Sequence, residues 1–209
     1  MAKPERRADY ESLTPWARQL YQEGKSTADV MRELYGVDLP AEAYAFDRAC
    51  AGGLDLPLLR LMHPWELLAA APEDAAADLS DVDEDWSSGQ ETNALARWPQ
   101  FLPLMQLRAD DATHGGHVIG YDLDELAAGK TTIWGFPGEV PEARRELAVL
   151  GPSLLAVLHA WLADHHRMLE VQRSSPANRG FGSLTNEDVE QAADQLYAIE
   201  VLQREVAAR

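Results

Sequence analysis

The sequence predicts an α+β fold, an antiparallel β-meander backed by helices with additional helices at both termini. The first observation lies within residues 101–136, which contain three short apolar runs rich in β-branched and aromatic residues, at 101–107, 117–123 and 131–136. Turn-forming residues separate the runs, as is typical of antiparallel strands joined in chain order. The second observation is that the segments on either side carry helix start and stop signals and apolar residues at helical spacing.

The N-terminal segment predicts two short helices. Residues 1–12 are polar and charged, and we expect them to form a frayed tail. Thr14 as N-cap and Pro15 as first helical residue predict where the first helix begins, and Gly24 predicts its end. Residues 26–29 have the pattern of a capping box and predict the start of the second helix.

A third helix is predicted over residues 41–50, after the Leu-Pro pair at 39–40 and before the glycine pair at 52–53. Its apolar face carries Cys50, the sole cysteine of the chain, which we expect to be a buried structural thiol. One cysteine allows no internal disulfide, which fits a reducing compartment.

The last third of the chain predicts two long helices. Residues 137–150 are interpreted as a loop with a short helix. A helix from Ser153 to about residue 172 is then predicted to pack across the sheet, and His165 is expected to be a structural histidine within it. Its apolar stripe consists of Leu154, Leu158, Trp161, Leu162, His165 and Leu169.

A final helix follows the capping box at residues 185–188, and it is predicted either to dock on the domain or to pair with its copy in a homodimer. Its apolar stripe consists of Val189, Ala192, Leu196, Ile199, Leu202 and Val206. We therefore predict a helical extension at 1–38, an α+β domain at 39–173 with an acidic insert at 71–96, and a linker with a C-terminal helix at 174–209.

Composition restricts the possible partners. The chain has 209 residues, 46% of them hydrophobic and 25% charged, with a formal net charge of −17. This charge disfavours nucleic acid and anionic membranes, and it attracts a basic protein. Two short helices around Gly24 also fit a helix-turn-helix, but the second offers a single arginine against Asp29 and Glu33. Without a secretory signal or an apolar stretch near the length of a membrane span, we expect a cytoplasmic protein.

The acidic insert is the first candidate binding surface. Residues 71–96 contain no Lys or Arg. The alternating carboxylates at 81–85 resemble a calcium loop, but the sixth position is Trp86 and the twelfth is Thr92, so the sharp turn and the bidentate ligand are missing. The insert is therefore either a solvated acidic loop or a contact surface for a basic partner. The candidate contact residues are Asp78, Asp81, Asp83, Glu84, Asp85 and Trp86.

Asp122 and Asp124, which end the second predicted strand, complete the candidate contact set. His114 and His117 flank a glycine pair, but two imidazoles alone do not make a metal site. These four residues could serve a hydrolase only if they converged in a pocket with perturbed pKa values. We therefore expect no catalytic residues, no metal and no cofactor.

Several motifs, taken in their order along the chain, resemble the SMI1/KNR4 family of the SUKH superfamily. A Leu-Pro pair at 39–40, then Phe46 and the glycine pair at 52–53, resemble the opening of that family. Residues 102–123 resemble its central hairpin. Trp134 in the next strand and an apolar helix at 153–169 continue the order, so the resemblance covers about residues 39–169.

The resemblance implies an antiparallel sheet backed by helices and a role without catalysis. Many bacterial members of that family are immunity proteins that bind and neutralise toxins, often nucleases, and fungal relatives are regulatory interaction proteins. Our leading hypothesis is thus a module that binds a basic toxin domain, and the alternative is a regulatory or scaffolding homodimer.

Overall fold

The computed structural model describes residues 10–60, 64–69, 97–107, 116–137, 146–174 and 184–208. Within these ranges it contains helices and an antiparallel sheet, which confirms the predicted α+β class. The helices are α1 Tyr10–Gln22, α2 Thr27–Tyr35, α3 Ala41–Ala51, α4 Trp65–Ala69, α5 Leu123–Ala127, α6 Leu154–Ser174 and α7 Asn186–Ala207. The strands are β1 Leu58–Arg60, β2 Phe101–Leu107, β3 His117–Asp122, β4 Ile133–Pro137 and β5 Ala148–Gly151.

The strands form one sheet in the order β1-β2-β3-β4-β5, so each strand lies beside its neighbour in sequence. The pairs β1–β2, β2–β3 and β3–β4 are antiparallel. The three apolar runs of the sequence are strands β2, β3 and β4, which confirms the predicted meander. Central strands β2 and β3 are buried along nearly their whole length, so both of their faces are covered.

A proline inside strand β2 is accommodated by an irregularity of the ladder. Pro103 is paired with Gly120, and the register shifts between Pro103 and Met105. Proline has no N–H to donate, and it is tolerated within a sheet at such bulges. A Cβ atom on Gly120 would lie 2.1 Å from the carbonyl oxygen of Leu102 and 2.7 Å from Cζ of Phe101. The close approach of the two strands here therefore requires glycine.

Helix α4 is short, and its side chains and backbone bind both β2 and α1. Trp65, which is 1% exposed, donates from Nε1 to the carbonyl oxygen of Leu104 at 2.6 Å. The hydroxyl of Tyr21 in α1 donates to the carbonyl oxygen of Leu67 at 3.0 Å. These contacts hold α4 between the N-terminal helix and the sheet.

The predicted start of the first helix is wrong. Helix α1 begins at Tyr10, so Thr14 and Pro15 lie inside it, and residues 10–12 are helical rather than part of a tail. Thr14 is buried and donates its hydroxyl to Oε1 of Glu66 at 3.0 Å instead of capping a helix. The preceding Leu13 is 1% exposed, so burial of this turn outweighs the intrahelical bond that Pro15 cannot make.

Two further predictions around the sheet are corrected. Leu123 does not belong to the second strand, because Asp122 ends β3 and caps helix α5. Residues 148–150 form part of strand β5 rather than a loop or helix, while 138–145 lie outside the described residues.

Cys50 is half-buried rather than fully buried. In contrast, α2 is capped by Ser26 and Gly36 in agreement with its sequence signals.

The chain forms two compact units. The sheet unit comprises Met1–Pro40 and Pro57–Leu150, and the helical unit comprises Ala41–Leu56 and Gly151–Arg209. These units are defined by their compactness alone, and they do not test the domain boundaries predicted from the sequence. Those boundaries therefore stay predictions.

In the helical unit, α6 packs against α7 and α3. That this helix packs across the sheet stays a prediction. Gln203 of α7 donates to the carbonyl oxygen of Leu155 at 3.1 Å, and Arg173 donates to Asn186 at 3.4 Å, so the two long helices run antiparallel. The leucines of the predicted α6 stripe are buried, as are Val189, Ala192, Ile199 and Leu202 of α7. Trp161 and His165 are half-buried, with stacked rings whose centroids are 6.2 Å apart.

A buried carboxylate begins helix α6. Glu42 of α3 is 6% exposed, and its two oxygens accept the backbone N–H groups of Leu154 at 2.8 Å and Leu155 at 3.3 Å. The hydroxyl of Ser153 accepts the next N–H, from Ala156, at 3.3 Å. The first N–H groups of a helix have no acceptor within the helix. Glu42, which belongs to another helix, therefore accepts N–H groups that a local cap alone would leave without an acceptor.

We expect Gly120→Ala to lower the free energy of unfolding by about 3 kcal/mol, because its Cβ would collide first with the backbone of Leu102. Chemical denaturation followed by circular dichroism measures the change. Gly52→Ala is the matched control, since its Cβ would lie 3.3 Å from the nearest atom, the carbonyl oxygen of Arg48. A Gly120→Ala protein as stable as the control would show that the two strands can separate without cost.

We expect Glu42→Ala to lower the free energy of unfolding by about 2–4 kcal/mol, because it leaves two helix N–H groups buried without an acceptor. Ser153→Ala, which deprives one amide of its acceptor, should cost about 1 kcal/mol. Glu170→Ala, at an exposed position of the same helix, is the control. Equal stabilities of the Glu42 and Glu170 variants would contradict the role assigned to Glu42.

Candidate functional site

The structure describes only part of the predicted contact set. The candidate residues of the acidic insert, Asp78, Asp81, Asp83, Glu84, Asp85 and Trp86, lie outside the described residues. Asp122 and Asp124 are described, at the junction of β3 and α5. The contact role of the insert therefore remains a prediction, and the structure bears on the two aspartates alone.

Asp122 has a structural role at this junction. Its backbone is extended, and its Oδ1 accepts the N–H groups of Asp124 and Glu125, both at 2.9 Å. It is the N-cap of α5, and its negative charge lies at the favourable end of the helix. The spacing of Asp122 and Glu125 is that of a capping box, a signal that sequence reasoning could have used here.

Glu125 joins the start of α5 to strand β4. Its Oε2 accepts the indole N–H of Trp134 at 3.0 Å, and its Oε1 lies 3.3 Å from Nζ of Lys130. The hydrogen bond from Trp134 is the main reason that the pKa of Glu125 lies below its ordinary value. Asp124 is exposed beside it, so of the three carboxylates it is the one that points into solvent.

The residues proposed for a hydrolase do not come together in the described part of the chain. His117 begins β3 and Asp122 ends it, a separation of about 16 Å at 3.3 Å per residue. Partial desolvation lowers the pKa of His117 below its ordinary value. His114 lies outside the described residues. Within the described ranges, no group of three or more His, Cys, Asp or Glu side chains could hold a metal ion.

The histidines of α6 are also distributed rather than gathered. Nε2 of His159 lies 3.5 Å from Oε1 of Glu200, which connects α6 to α7. His165 stacks on Trp161 at the opposite flank of the stripe. Each of these imidazoles is thus engaged by a helix contact.

A second carboxylate surface lies on the outer side of α7. We call it the acidic face, defined by Glu187, Glu190 and Asp194, all exposed. Their spacing of three and then four residues places them on one side of the helix, opposite the buried stripe that begins at Val189. No Lys or Arg occurs in α7 before Arg204, so nothing within the helix neutralises these charges over most of its length.

An aromatic side chain continues the acidic face. Tyr197 is 61% exposed and follows Asp194 along the same side of the helix. The guanidinium carbon of Arg204 lies 5.7 Å from the centre of its ring. An exposed tyrosine beside carboxylates is a typical anchor at protein interfaces, where aromatic residues and Arg are enriched.

The capping box of α7 fixes where the acidic face begins. Thr185 accepts the N–H of Asp188 at 3.2 Å and donates its own N–H to Oδ2 of Asp188 at 2.6 Å. These bonds from Thr185 hold the pKa of Asp188 below its ordinary value. Asp188 is therefore engaged in the cap. The sequence contains the signal for the acidic face, since its three carboxylates have helical spacing opposite the apolar stripe.

Comparisons with known proteins leave this surface to be interpreted from its chemistry. No protein-family model, curated protein or solved structure matches the chain. Among the described helices, none combines the length and apolar character needed to cross a membrane. What the described carboxylates can do is attract cationic groups, because several of them are exposed and unneutralised within their helix.

We expect Trp134→Phe to raise the pKa of Glu125, because it removes the indole donor that favours the ionised carboxylate. A carboxylate with a lowered pKa stabilises the fold above its unfolded pKa, and this contribution is lost as the pH falls through the folded pKa. The variant should therefore lose less stability than wild type on acidification. Carbon-detected NMR titration of the Glu125 carboxyl group measures the shift.

Trp161→Phe, in the helical unit, is the control for this experiment and should leave the Glu125 titration unchanged. If Trp134→Phe left the pKa of Glu125 at its wild-type value, the indole hydrogen bond would not be its cause.

Proposed function

We propose that this chain is a non-catalytic protein-binding module that recognises a basic protein partner, of the immunity-protein kind that the SMI1/KNR4 resemblance implies. Its partner would be a basic toxin domain, such as a nuclease whose cationic surface is built to bind phosphate. The observation that carries the proposal is the acidic face of α7, three exposed carboxylates with no basic residue of the helix before Arg204, on a chain of net charge −17.

Electrostatics supports this choice of partner. Complementary charge steers association and raises the rate of encounter, while it disfavours partners of like charge. Nucleic acid binding depends on neutralising phosphates with Lys and Arg, and this chain has 18 of those against 35 Asp and Glu. A cationic protein surface is the ligand class that these numbers favour.

The alternatives receive less support from the described residues. A homodimer through the apolar stripe of the final helix would need that stripe to be accessible, yet Val189, Ala192 and Ile199 are buried within the chain. A hydrolase built on His117 and Asp122 would need two groups at opposite ends of β3 to act on one substrate.

The proposal is tested with the product of a neighbouring toxin gene, titrated calorimetrically at NaCl concentrations from about 0.05 to 0.5 M, a range over which exposed charges become screened. The triple variant Glu187→Gln, Glu190→Gln, Asp194→Asn should raise Kd about tenfold at low salt and much less at high salt. The affinity of the wild-type chain should fall as salt rises.

The matched control is the triple variant Glu23→Gln, Asp38→Asn, Glu170→Gln, which removes the same charge from exposed positions elsewhere. Its Kd should change about twofold or less. Equal effects of the two variants would mean that only total charge matters, and salt-independent binding would contradict the electrostatic basis of the proposal.

A further inference from the structure

We propose that strand β5 is a docking edge, at which an extended basic segment of the partner adds a strand to the sheet. The inference rests on the proposed function, since it takes a basic protein as the partner, and it names the surface and the conformation of the bound segment. It is independent of the acidic face, because the observations that support it concern the sheet unit.

β5 lies at one edge of the sheet. β5 is the last strand in the order β1-β2-β3-β4-β5, so among the described strands none lies on its far side. The outward N–H and C=O groups of such an edge form a row of donors and acceptors that a further strand can pair with. At the other end, β1 spans three residues and pairs with β2 over residues 105–107.

The side chains of β5 are unusually exposed for a strand. Ala148, Val149 and Leu150 are all exposed, with 58% of Val149 and 37% of Leu150 accessible. Successive side chains of a strand point to opposite faces, so neither face of β5 is fully packed. Natural edge strands are commonly protected by Lys, Pro or an inward-pointing charge, and residues 148–151 contain none of these.

The neighbouring strand β4 has a glycine where the side chain of Leu150 approaches it. A Cβ atom on Gly135 of β4 would lie 2.5 Å from Cδ1 of Leu150. The side chain of Leu150 therefore lies over a glycine, which holds β5 beside β4 while part of Leu150 stays accessible. An added strand would cover the accessible parts of Val149 and Leu150, whose burial favours association.

Charge decides between the two obvious occupants. A second copy of this chain could pair edge to edge, but two chains of net charge −17 repel each other. An extended segment that alternates Lys or Arg with β-branched residues meets both requirements, because its backbone pairs with the edge and its cations face an acidic protein.

The test uses the full chain labelled with ¹⁵N and the peptide Lys-Val-Lys-Val-Lys-Val-Lys. We expect amide shifts concentrated in residues 146–151 and slower hydrogen exchange of the outward N–H groups of β5. Val149→Lys should raise Kd at least about tenfold, and Val171→Lys, which adds the same charge at another exposed valine, about twofold or less. The peptide Lys-Pro-Lys-Pro-Lys-Pro-Lys, of equal charge but unable to form a strand, should cause no such shifts.

Each other outcome overturns the inference in a distinguishable way. Equal binding of the two peptides, or shifts elsewhere with an inert Val149→Lys, would reject the β5 edge and leave the proposed basic partner intact. Failure of both peptides to bind would reject the β5 edge, whereas the proposed basic partner stands or falls by its own calorimetric titration. A wild-type dimer in sedimentation equilibrium that Val149→Lys dissociates would make a second copy the occupant instead.

Discussion

The helical unit depends on one carboxylate. Glu42 is buried, and a buried charge is costly unless its oxygens are hydrogen-bonded. Here the positive end of a helix provides the bonds, because the N–H groups of Leu154 and Leu155 have no acceptor of their own within α6. The carboxylate thus gains hydrogen-bond donors, and the N–H groups of the helix terminus gain acceptors. The two partners are 112 residues apart in sequence, so this contact also fixes which distant segments of the chain share one core.

The sheet unit rests on a different constraint, which is steric. Pro103 interrupts the ladder of a central strand, and Gly120 opposite it brings the two backbones closer than any side chain would permit. Around this point Phe101 packs with Phe136 and Trp98, with ring centroids 4.8 to 6.5 Å apart. Because both faces of β2 and β3 are covered, the accessible surfaces in the described part of this unit lie at the edge strand and the exposed turns.

Composition and capping residues predicted those helices and strands in which the preference of the local sequence agrees with the packing of the folded chain. The strands β2 to β4 have the composition that suits a buried sheet, and α2 has both of its caps in sequence. The helix start predicted at Thr14 was wrong because capping is a local sequence pattern, whereas the hydrogen bond from Thr14 to Glu66 connects residues 52 apart. β5 went unrecognised because its residues are exposed and show no alternation. Composition predicted the acidic insert as a candidate contact surface, which lies outside the described residues, whereas the acidic face of α7 follows from the helical spacing of its carboxylates opposite the apolar stripe.

The helical unit is assembled from two stretches of chain, Ala41–Leu56 and Gly151–Arg209, and this arrangement has a consequence during synthesis. Helix α3 leaves the ribosome well before the helices that cover it have been translated. At about 5–20 residues per second, the roughly 155 residues from the end of α3 to the end of α7 take about 8–30 s to translate, and α3 lacks its neighbours in the helical unit for that time. During this time the apolar surface of α3 in the nascent chain is accessible to chaperones. The period ends when α7 has been translated.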